Sequence, residues 1–539
     1  MRRLWIAAAL ALIASPIRPG AQAGRPRLLV VIVVDQLRAD ELDLYQKRWR
    51  GGFRTLLDQG AHFPDAEYPY LNTATCAGHA TIATGALPRR HGIVLNRWWD
   101  RAAGRSTTCT DDPGSPQVSY GAPSTAGHSA RLLLTPTLGD ALRRQQPGAR
   151  VVSLALKPRS AAMLAGHGGD VVTWFDDQVR SFVTARAYSA EPVASVARFL
   201  AADTPGTTGD LVWTLRDAPA RYRHADLQPT ERPKAGWTTI FPHAIAGVNG
   251  ADAQFFDRWQ KSPFADRYLG ALAAAVSDDL QLGRRDATDY LAISFSSLDL
   301  MGHDFGPDSR EVEDLLLHLD DTLGRLLEHL DATVGRDRYV VALSSDHGTA
   351  PVPERVADGG RIASEDVQQL LEQTLAARWD AAPAGQPYVA WVGPGSVYFG
   401  AGIYERLRGE AAAMRDVIEA LTSVPGVERV LRSDMLAAAA SDPLVRATAA
   451  GYVADRSGDL FLLPRRHWIF ELRSEYDGTN HGTFHDYDRS VPVVVRGAGI
   501  RAGRYRQPAS PMDVAPTLAH IAGIRLDDAD GRVLSEAIR

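Results

Sequence analysis

Residues 72–87, NTATCAGHATIATGAL, combine small side chains with several hydroxyl and imidazole groups. An extended run through Tyr70 precedes them and a helical pattern follows to about Ala86, so Thr75 is expected near the start of a helix. The first N–H groups of a helix are unpaired and carry the positive end of its dipole, which suits a phosphate. The Thr75 hydroxyl is therefore the candidate reactive group, with a helix cap or a packed threonine as the structural alternative.

Carboxylates and imidazoles follow several apolar segments of the chain. Asp299 and His303 are four residues apart and could share one metal ion, although this spacing alone more often marks a hydrogen-bonded pair. The full set of three carboxylates and three imidazoles is a mixture that zinc accepts: Asp35, Asp299, His303, Asp346, His347 and His481. Six ligands are too many for one tetrahedral zinc ion, so they predict a two-metal site that Thr75 or water completes. Such a site can activate a threonine hydroxyl for displacement at phosphorus.

Strands of a parallel sheet would have to bring these side chains together. Four nearly unbroken apolar runs are typical of strands buried on both faces: residues 27–34, 151–156, 290–295 and 339–343. Because open α/β sheets bind ligands beyond the carboxyl ends of their strands, we expect the polar residues after each run to converge. Further core elements are predicted from the same patterns: helices at 129–144, 311–330 and 512–522 and a strand at 491–496. This alternation predicts an α/β fold with a doubly wound, mostly parallel sheet flanked by helices.

Two segments interrupt the alternation, at about residues 166–285 and about residues 360–470. We interpret both as insertions that form a cap near the site within one catalytic domain, residues 24–539. A separate second domain is the alternative.

The bulk composition excludes several classes of protein. The 539 residues are 45% hydrophobic and 23% charged, as in ordinary globular proteins. Lysine and arginine total 59 against 64 acidic residues, a net charge of −5 without long runs of one sign, which argues against nucleic acid as a structural partner. The oligomeric state is left open by the sequence.

The first 23 residues have the pattern of an export signal. A basic start, an apolar segment and the small residues Ala21 and Ala23 predict a signal peptide cleaved near Ala23, and hence a periplasmic or secreted protein. A membrane anchor is the alternative, disfavoured because the apolar run is shorter than the roughly 18 residues of a spanning helix. No stable membrane anchor is therefore expected.

Cys76 and Cys109 are the two cysteines of the chain. They could form a disulfide in an oxidising compartment, or both could be buried thiols. Two cysteines exclude a cysteine-based metal site, and no partner base identifies Cys76 as a nucleophile.

Taken in order, these motifs resemble the alkaline phosphatase superfamily, and they span most of the chain: Asp35, the segment 73–79 (TATCAGH), Thr84-Gly85, His91-Gly92-Ile93, Asp299 with His303, Asp346-His347-Gly348 and His481-Gly482. The resemblance implies two zinc ions and a threonine nucleophile. It assigns one ion to Asp299, His303 and His481, and the other to Asp35, Asp346, His347 and the nucleophile Thr75. His79 and His91 remain structural in this interpretation.

Three further residues indicate the branch of the superfamily. Asn96 resembles the asparagine with which threonine-nucleophile branches hold a phosphoryl oxygen, and Lys157 with Arg159 resembles the Lys-x-Arg pair of PafA-like bacterial phosphomonoesterases. A monoester dianion exposes one more anionic oxygen than a diester, and a lysine beside a forked arginine can hold it. A basic pair on the surface is the structural alternative. The segment from Cys76 to Ala80 lacks the proline and arginine that sulfatases need.

The resemblance implies zinc-dependent hydrolysis of phosphate monoesters through a phosphothreonine intermediate, with a broad range of small-molecule phosphate esters as substrates. A phosphodiesterase or nucleotide pyrophosphatase on the same two-metal scaffold is the main alternative. A noncatalytic, exported zinc-binding protein is a third. The leaving group is not specified by the residues that carry the resemblance.

Overall fold

A computed structural model describes residues 24–206, 212–247, 252–383, 385–437, 441–473 and 477–539. The predicted signal peptide, residues 1–23, lies outside the described residues. Among the helices that are described, none is both long and apolar enough to cross a bilayer.

The strands of the described ranges are, in chain order, β1 (Leu28–Val34), β2 (Ala61–Phe63), β3 (Arg97–Asp100), β4 (Arg105–Thr108), β5 (Asp111–Ser119), β6 (Gly127–His128), β7 (Val151–Ala155), β8 (Val171–Asp176), β9 (Ser181–Ala185), β10 (Val212–Trp213), β11 (His243–Ala244), β12 (Asp289–Phe295), β13 (Tyr339–Ser344), β14 (Gly360–Ala363), β15 (Val389–Gly393), β16 (Ser396–Phe399), β17 (Val427–Arg432), β18 (Leu460–Pro464), β19 (Trp468–Glu471), β20 (Val493–Gly497) and β21 (Gly503–Arg504).

The α-helices of the same ranges are α1 (Ala39–Leu44), α2 (Gly52–Gln59), α3 (Thr75–Thr84), α4 (Pro88–His91), α5 (Leu138–Gln145), α6 (Pro158–Ala165), α7 (Ala194–Ala202), α8 (Phe255–Gln260), α9 (Pro263–Asp279), α10 (Ser297–Phe305), α11 (Arg310–Leu330), α12 (Ser364–Trp379), α13 (Ile403–Gly409), α14 (Ala411–Ser423), α15 (Pro443–Gly451), α16 (Asp486–Arg489) and α17 (Val514–Ala522).

An eleven-stranded sheet forms the centre of the molecule, in the order β21-β2-β20-β13-β1-β12-β7-β8-β9-β5-β6. Its five middle strands, from β13 to β8, are parallel. Antiparallel pairings begin at β20 on one side and at β9 on the other. The four apolar runs predicted from the sequence are β1, β7, β12 and β13, which are neighbours in this parallel centre.

Helices cover both faces of the sheet, because all seven residues of β1 are buried although their side chains point alternately to opposite faces. Leu28, Val30 and Ile32 join one core with α2, α9 and α11. Leu29 and Val31, on the opposite face, join a second core with α3, α5 and α17. Each fully buried aliphatic side chain contributes about 1.5–3 kcal/mol to the hydrophobic stabilisation. The predicted doubly wound, mostly parallel α/β fold is confirmed.

One predicted helix is shorter than expected. The pattern at residues 129–144 predicts a single helix, but α5 begins only at Leu138. Thr137 and Asp140 form a capping box in which the Thr137 hydroxyl accepts from the Asp140 N–H and the Asp140 carboxylate accepts from the Thr137 N–H. Because Pro136 also disfavours helical backbone in the residue before it, the helix starts after the proline.

A separate four-stranded antiparallel sheet, β15-β16-β18-β17, lies between β14 and β19 in the sequence. Helices α12, α13 and α14 pack on it around their own hydrophobic core. Through β15 this unit brings Trp391 to the wall of the cavity described below.

Candidate active site

Thr75 is the first residue of α3, as the sequence predicts. The preceding Ala74 has extended backbone, and no side chain of Ala74 caps the helix. Thr75 is buried, with 1% of its surface exposed, and its Oγ1 lies 3.3 Å from Nε2 of His347. The hydroxyl therefore faces one of the predicted metal ligands.

The six predicted ligands converge beyond the carboxyl ends of β1, β12 and β13. Two groups of side chains have ligand atoms within 4.8 Å of one another: Asp35, Asp346 and His347; and Asp299, His347 and His481. His347 thus lies in both groups. His303, on α10 with Asp299, places its Nε2 3.4 Å from Oδ1 of Asp299. The arrangement follows from parallel strands, which deliver their carboxyl ends to one edge of a sheet.

Backbone carbonyls orient all three histidines in the same way. Nδ1 of His347 lies 3.0 Å from the Gly348 carbonyl, and Nδ1 of His481 lies 2.9 Å from the Thr73 carbonyl. Nδ1 of His303 lies 3.1 Å from the Thr479 carbonyl. Because a carbonyl can only accept, Nδ1 carries the proton and donates in each case. In the neutral rings this leaves the Nε2 lone pair directed into the site, as in metal-binding histidines.

The carboxylates at the site are fully buried and close to one another. Burial, together with the charges of Asp299 and Asp346, raises the pKa of Asp35 well above its usual range. Oδ1 of Asp35 is buried without a hydrogen-bond partner in the described part of the chain, and Oδ2 of Asp346 accepts no well-aligned hydrogen bond there, although Nδ1 of His79 lies 3.1 Å from it. A buried carboxylate oxygen without a partner is costly, so Oδ1 of Asp35 needs a proton or a cation.

Positive charge is concentrated at the same place. Nζ of Lys157 donates to Oδ2 of Asp35 at 2.6 Å and also contacts Oδ2 of Asp299. Burial alone would lower the pKa of His303, but the Asp299 carboxylate raises it to about 9. The donor set of three carboxylates and three imidazoles, with the lysine as the neighbouring positive charge, fits divalent metal ions.

A cavity of about 460 Å³ opens in front of Thr75. Asn96 and Arg159 line it together with Thr75, His303 and His481. Lys157 is not among the lining residues that the structure describes. Asn96 and Arg159, two of the three residues expected to hold a phosphoryl group, therefore border the cavity. The third, Lys157, contacts the carboxylates of Asp35 and Asp299 instead.

The orientation of Asn96 follows from its hydrogen bonds. Its side-chain oxygen Oδ1 accepts from the Cys76 N–H at 2.8 Å. Since that position must be the oxygen, the Nδ2 group of Asn96 is the one available as a donor. An amide donor in the cavity beside Thr75 suits a phosphoryl oxygen.

The two cysteines, whose pairing the sequence leaves open, form a disulfide between Cys76 of α3 and Cys109 at the end of the β3–β4 hairpin. Both residues are buried. The bond excludes Cys76 as a nucleophile in this structure.

Sequence reasoning missed Gln36. Its Nε2 donates to Oδ1 of Asp299 at 3.0 Å and its backbone N–H donates to Oδ1 of Asp346 at 3.2 Å. Gln36 has a φ of 73°, in the left-handed region that residues other than glycine seldom adopt. Its position directly after Asp35 was the available signal, but the unusual backbone that directs it to both carboxylates is not visible in the sequence.

His79, interpreted as structural, contacts two residues of the site. Its Nδ1 lies 2.8 Å from the Thr75 carbonyl and 3.1 Å from Oδ2 of Asp346, and its Nε2 lies 2.8 Å from Oγ of Ser294. His79 therefore links the start of α3 to the loop after β13.

Comparison with known proteins gives consistent matches over almost the whole chain. A sequence profile described as type I phosphodiesterase / nucleotide pyrophosphatase matches residues 29–488. The chain is 30% identical over 532 residues to alkaline phosphatase PafA of Elizabethkingia meningoseptica, covering 95% of this chain and 95% of that protein. It is 32% identical over 537 residues to alkaline phosphatase PhoK of Sphingomonas sp., covering 94% of this chain and 91% of the relative.

Comparison of the fold with solved structures also identifies an alkaline phosphatase as similar to this chain. The crystal structure of alkaline phosphatase PafA matches with a TM-score of 0.88 at 29% identity, over 96% of this chain and 99% of that chain. The chain therefore belongs to the type I phosphodiesterase / nucleotide pyrophosphatase family of the alkaline phosphatase superfamily, on its PafA-like alkaline phosphatase branch.

Proposed function

We propose that this protein is an exported, zinc-dependent alkaline phosphatase that hydrolyses small-molecule phosphate monoesters of broad range through a phosphothreonine on Thr75. The names of its relatives PafA and PhoK support the activity. The observation that carries the proposal is the position of the Thr75 hydroxyl. It lies at the start of α3, 3.3 Å from His347, on a cavity that Asn96 and Arg159 also line.

The same side chains would hold two zinc ions. We assign Asp299, His303 and His481 to one ion, and Asp35, Asp346, His347 and Thr75 to the other. When bound, the ions supply positive charge that makes a hydroxyl more nucleophilic at neutral pH and stabilises charge on the departing oxygen.

The chain's own groups perform the rest of the reaction. Oγ1 of Thr75 forms a bond to phosphorus as the bond between phosphorus and the ester oxygen breaks, and the proton that the Thr75 hydroxyl loses is balanced by one gained by the ester oxygen, which leaves as the alcohol. Water then attacks the phosphothreonine, which releases inorganic phosphate and restores Thr75. The net reaction consumes one water for each ester.

Donors at the cavity stabilise the transferred group. The Asn96 amide and the Arg159 guanidinium would bind nonbridging oxygens, where donors held in place stabilise charge that develops in the transition state. Lys157 stays in this proposed set, and its ammonium contributes positive charge from its position beside Asp35 and Asp299.

Substitution of Thr75 tests the nucleophile. Thr75→Ala is expected to retain bound zinc, which metal analysis measures. Its kcat toward an aryl phosphate monoester is expected to fall by at least about 1,000-fold. Thr75→Ser retains a hydroxyl and serves as the matched variant, with measurable turnover and a trapped phosphoserine. Full activity of Thr75→Ala would remove Thr75 from its proposed role.

Diester hydrolysis is the second candidate, because the matching profile is described as a phosphodiesterase / nucleotide pyrophosphatase. A matched aryl monoester and diester separate the two activities. If the monoester is the substrate, the double variant Lys157→Ala/Arg159→Ala loses far more monoester than diester hydrolysis, because the additional charge of the monoester needs these cations. Equal losses would favour the diester.

We further propose cleavage of residues 1–23 near Ala23 and export to the periplasm or medium. The mature chain, residues 24–539, would be one catalytic domain with insertions at about 166–285 and about 360–470 that form a cap, except that β8, β9 and α9 of the first segment belong to the central sheet and its core. The separate core of α12, α13 and α14 supports the second insertion. N-terminal sequencing of the exported protein tests the cleavage point.

A further inference from the structure

Asn96 is hydrogen-bonded to both halves of the Cys76–Cys109 disulfide. The Cys76 N–H donates to the side-chain Oδ1 of Asn96 at 2.8 Å. The Cys109 N–H donates to the backbone carbonyl of Asn96 at 3.0 Å. The two donors lie on different elements, α3 and the end of the β3–β4 hairpin, and the disulfide joins these elements covalently.

The two bonds fix different parts of Asn96. The bond from Cys109 holds its backbone, and the bond from Cys76 holds the rotation of its amide, so that Oδ1 faces α3. Nδ2 is then the free end of the amide in a residue that lines the cavity with Thr75 and Arg159. The donor Cys76 N–H belongs to the residue directly after Thr75, so Asn96 is positioned relative to the nucleophile itself.

The covalent bond maintains this arrangement. Cys76 and Cys109 are 33 residues apart in the chain, and Asn96 lies within the loop that they close. Without the bond, the hairpin could move relative to α3, and one of the two hydrogen bonds to Asn96 would then lengthen. A displacement of about 1 Å in a group that stabilises a transition state can cost about 100-fold in rate.

We infer that the Cys76–Cys109 disulfide is a positioning element for Asn96, which holds the Asn96 amide against the start of α3 so that Nδ2 is directed to a phosphoryl oxygen. This inference rests on the proposed phosphatase function. It assigns the disulfide a role in transition-state stabilisation in addition to any role in stability.

A comparison of four zinc-loaded proteins tests it: wild type, Cys76→Ala/Cys109→Ala, Asn96→Ala and the triple variant. With Asn96 present, loss of the disulfide is expected to lower kcat/KM for an aryl phosphate by about 10-fold; with Asn96→Ala, the same change lowers it by less than about 2-fold. Arg105→Ala is the control, because Arg105 is an exposed residue of the same hairpin that pairs with Asp111, and kcat/KM stays unchanged.

Affinity for inorganic phosphate, measured by calorimetry, separates this inference from the proposed function. If wild type hydrolyses no ester, the proposed function fails, but phosphate binding should still weaken on loss of the disulfide only when Asn96 is present. Equal losses in both backgrounds, or no loss with Asn96 present, would overturn the inference.

Thermal unfolding separates positioning from stability, because a purely structural bond changes Tm and leaves kcat/KM unchanged in the folded protein. If the alanine variants do not fold, wild type and Asn96→Ala made in a reducing cytoplasm provide the same comparison before and after oxidation. Oxidation is expected to raise kcat/KM of the reduced wild type by about 10-fold and that of reduced Asn96→Ala by less than about 2-fold. Equal recovery in both proteins would contradict the inference.

Discussion

Gly78 of α3 packs directly against Asp346, so closely that a methyl group on Gly78 would lie 2.6 Å from both Cα and Cβ of Asp346. It would also overlap the Asp346 carbonyl. All ten residues of α3 are buried, so the helix has little freedom to move away. The small residues of the Thr75 segment therefore allow the helix of the proposed nucleophile to contact a proposed metal ligand without an intervening side chain.

Gly78→Ala is expected to displace Asp346 or α3 and so to weaken zinc binding and lower kcat/KM by at least about 10-fold. Zinc titration and aryl phosphate kinetics measure the two effects. Gly409→Ala is the matched control, since a methyl group there meets nothing within 4 Å. Unchanged zinc affinity in Gly78→Ala would show that the contact has no effect on the ligand.

Gln36→Ala removes the hydrogen bond from Nε2 to Asp299 but keeps the backbone N–H that donates to Asp346. Because groups that orient metal ligands typically contribute about 10–100-fold to affinity, zinc affinity is expected to fall by about 10-fold. Competition with a chromophoric chelator measures the change. Gln59→Ala, at a glutamine that bonds Arg496 instead, should leave the affinity unchanged. An equal decrease in both variants would argue against a specific role for Gln36.

Removal of the metal should destabilise the folded protein, because Oδ1 of Asp35 and Oδ2 of Asp346 would lose the proposed cation while remaining buried. Treatment with a chelator is expected to lower Tm, and added zinc should restore it in a concentration-dependent manner. His481→Ala should reduce this shift, whereas Arg105→Ala should keep it. A Tm that is independent of zinc in the wild type would contradict the proposed ligand set.

Glu311 is buried at a distance from the proposed metal ligands, and its carboxyl group is expected to make the stability of the protein depend on pH. Burial raises its pKa from 4.5 to about 8; a hydrogen bond from its own backbone N–H and the charge of Arg310 lower the pKa, and the charge of Asp226 raises it further. Oε1 lies 3.0 Å from Nε2 of His243, whose pKa burial lowers to about 4. Between pH 4.5 and about 8 the unfolded chain has released the proton that folded Glu311 retains. The contribution of Glu311 to the free energy of unfolding therefore falls as pH rises, by up to about 1.4 kcal/mol per pH unit, and below pH 6.5 the lowered pKa of His243 contributes with the opposite sign.

Glu311→Gln should remove this contribution, so that the free energy of unfolding falls less, or rises more, with pH than in the wild type, because an amide does not titrate. Denaturant unfolding at pH 5, 6.5 and 8, roughly spanning the interval over which Glu311 differs between the folded and unfolded states, measures the slope. Glu328→Gln, at an exposed position of the same helix, is expected to retain the wild-type slope. Equal slopes in Glu311→Gln and wild type would show that Glu311 does not titrate as its burial implies.

Several features of the site could be predicted from local sequence. Apolar runs mark β1, β12 and β13, and polar residues such as Asp35 and Asp346 follow within two residues of the strand ends. Because parallel strands end at a common edge, these positions predict convergence without any knowledge of the contacts. The start of α3 at Thr75 is also a local property, since extended backbone and then a helical pattern flank it.

Other features depend on residues far apart in the chain. The sequence leaves the pairing of Cys76 and Cys109 open, and it contains no signal for the hydrogen bonds of both residues to Asn96. It also groups Lys157 with Arg159, whereas the structure places the Lys157 ammonium on the carboxylates and Arg159 on the cavity wall. Lys157 precedes α6 and Arg159 lies in its first turn, so the two side chains point in different directions, and only the surrounding elements decide what each one contacts.

The sequence by itself determined the α/β fold, the six candidate ligands and Thr75 as the candidate nucleophile, because hydrophobic periodicity and strand ends are encoded locally. Only the tertiary structure decided that His347 lies in both ligand groups, that Gln36 contacts Asp299 and Asp346, and that a disulfide brackets Asn96. These relationships arise when segments tens to hundreds of residues apart pack together. A local sequence pattern does not specify which of these distant side chains come into contact.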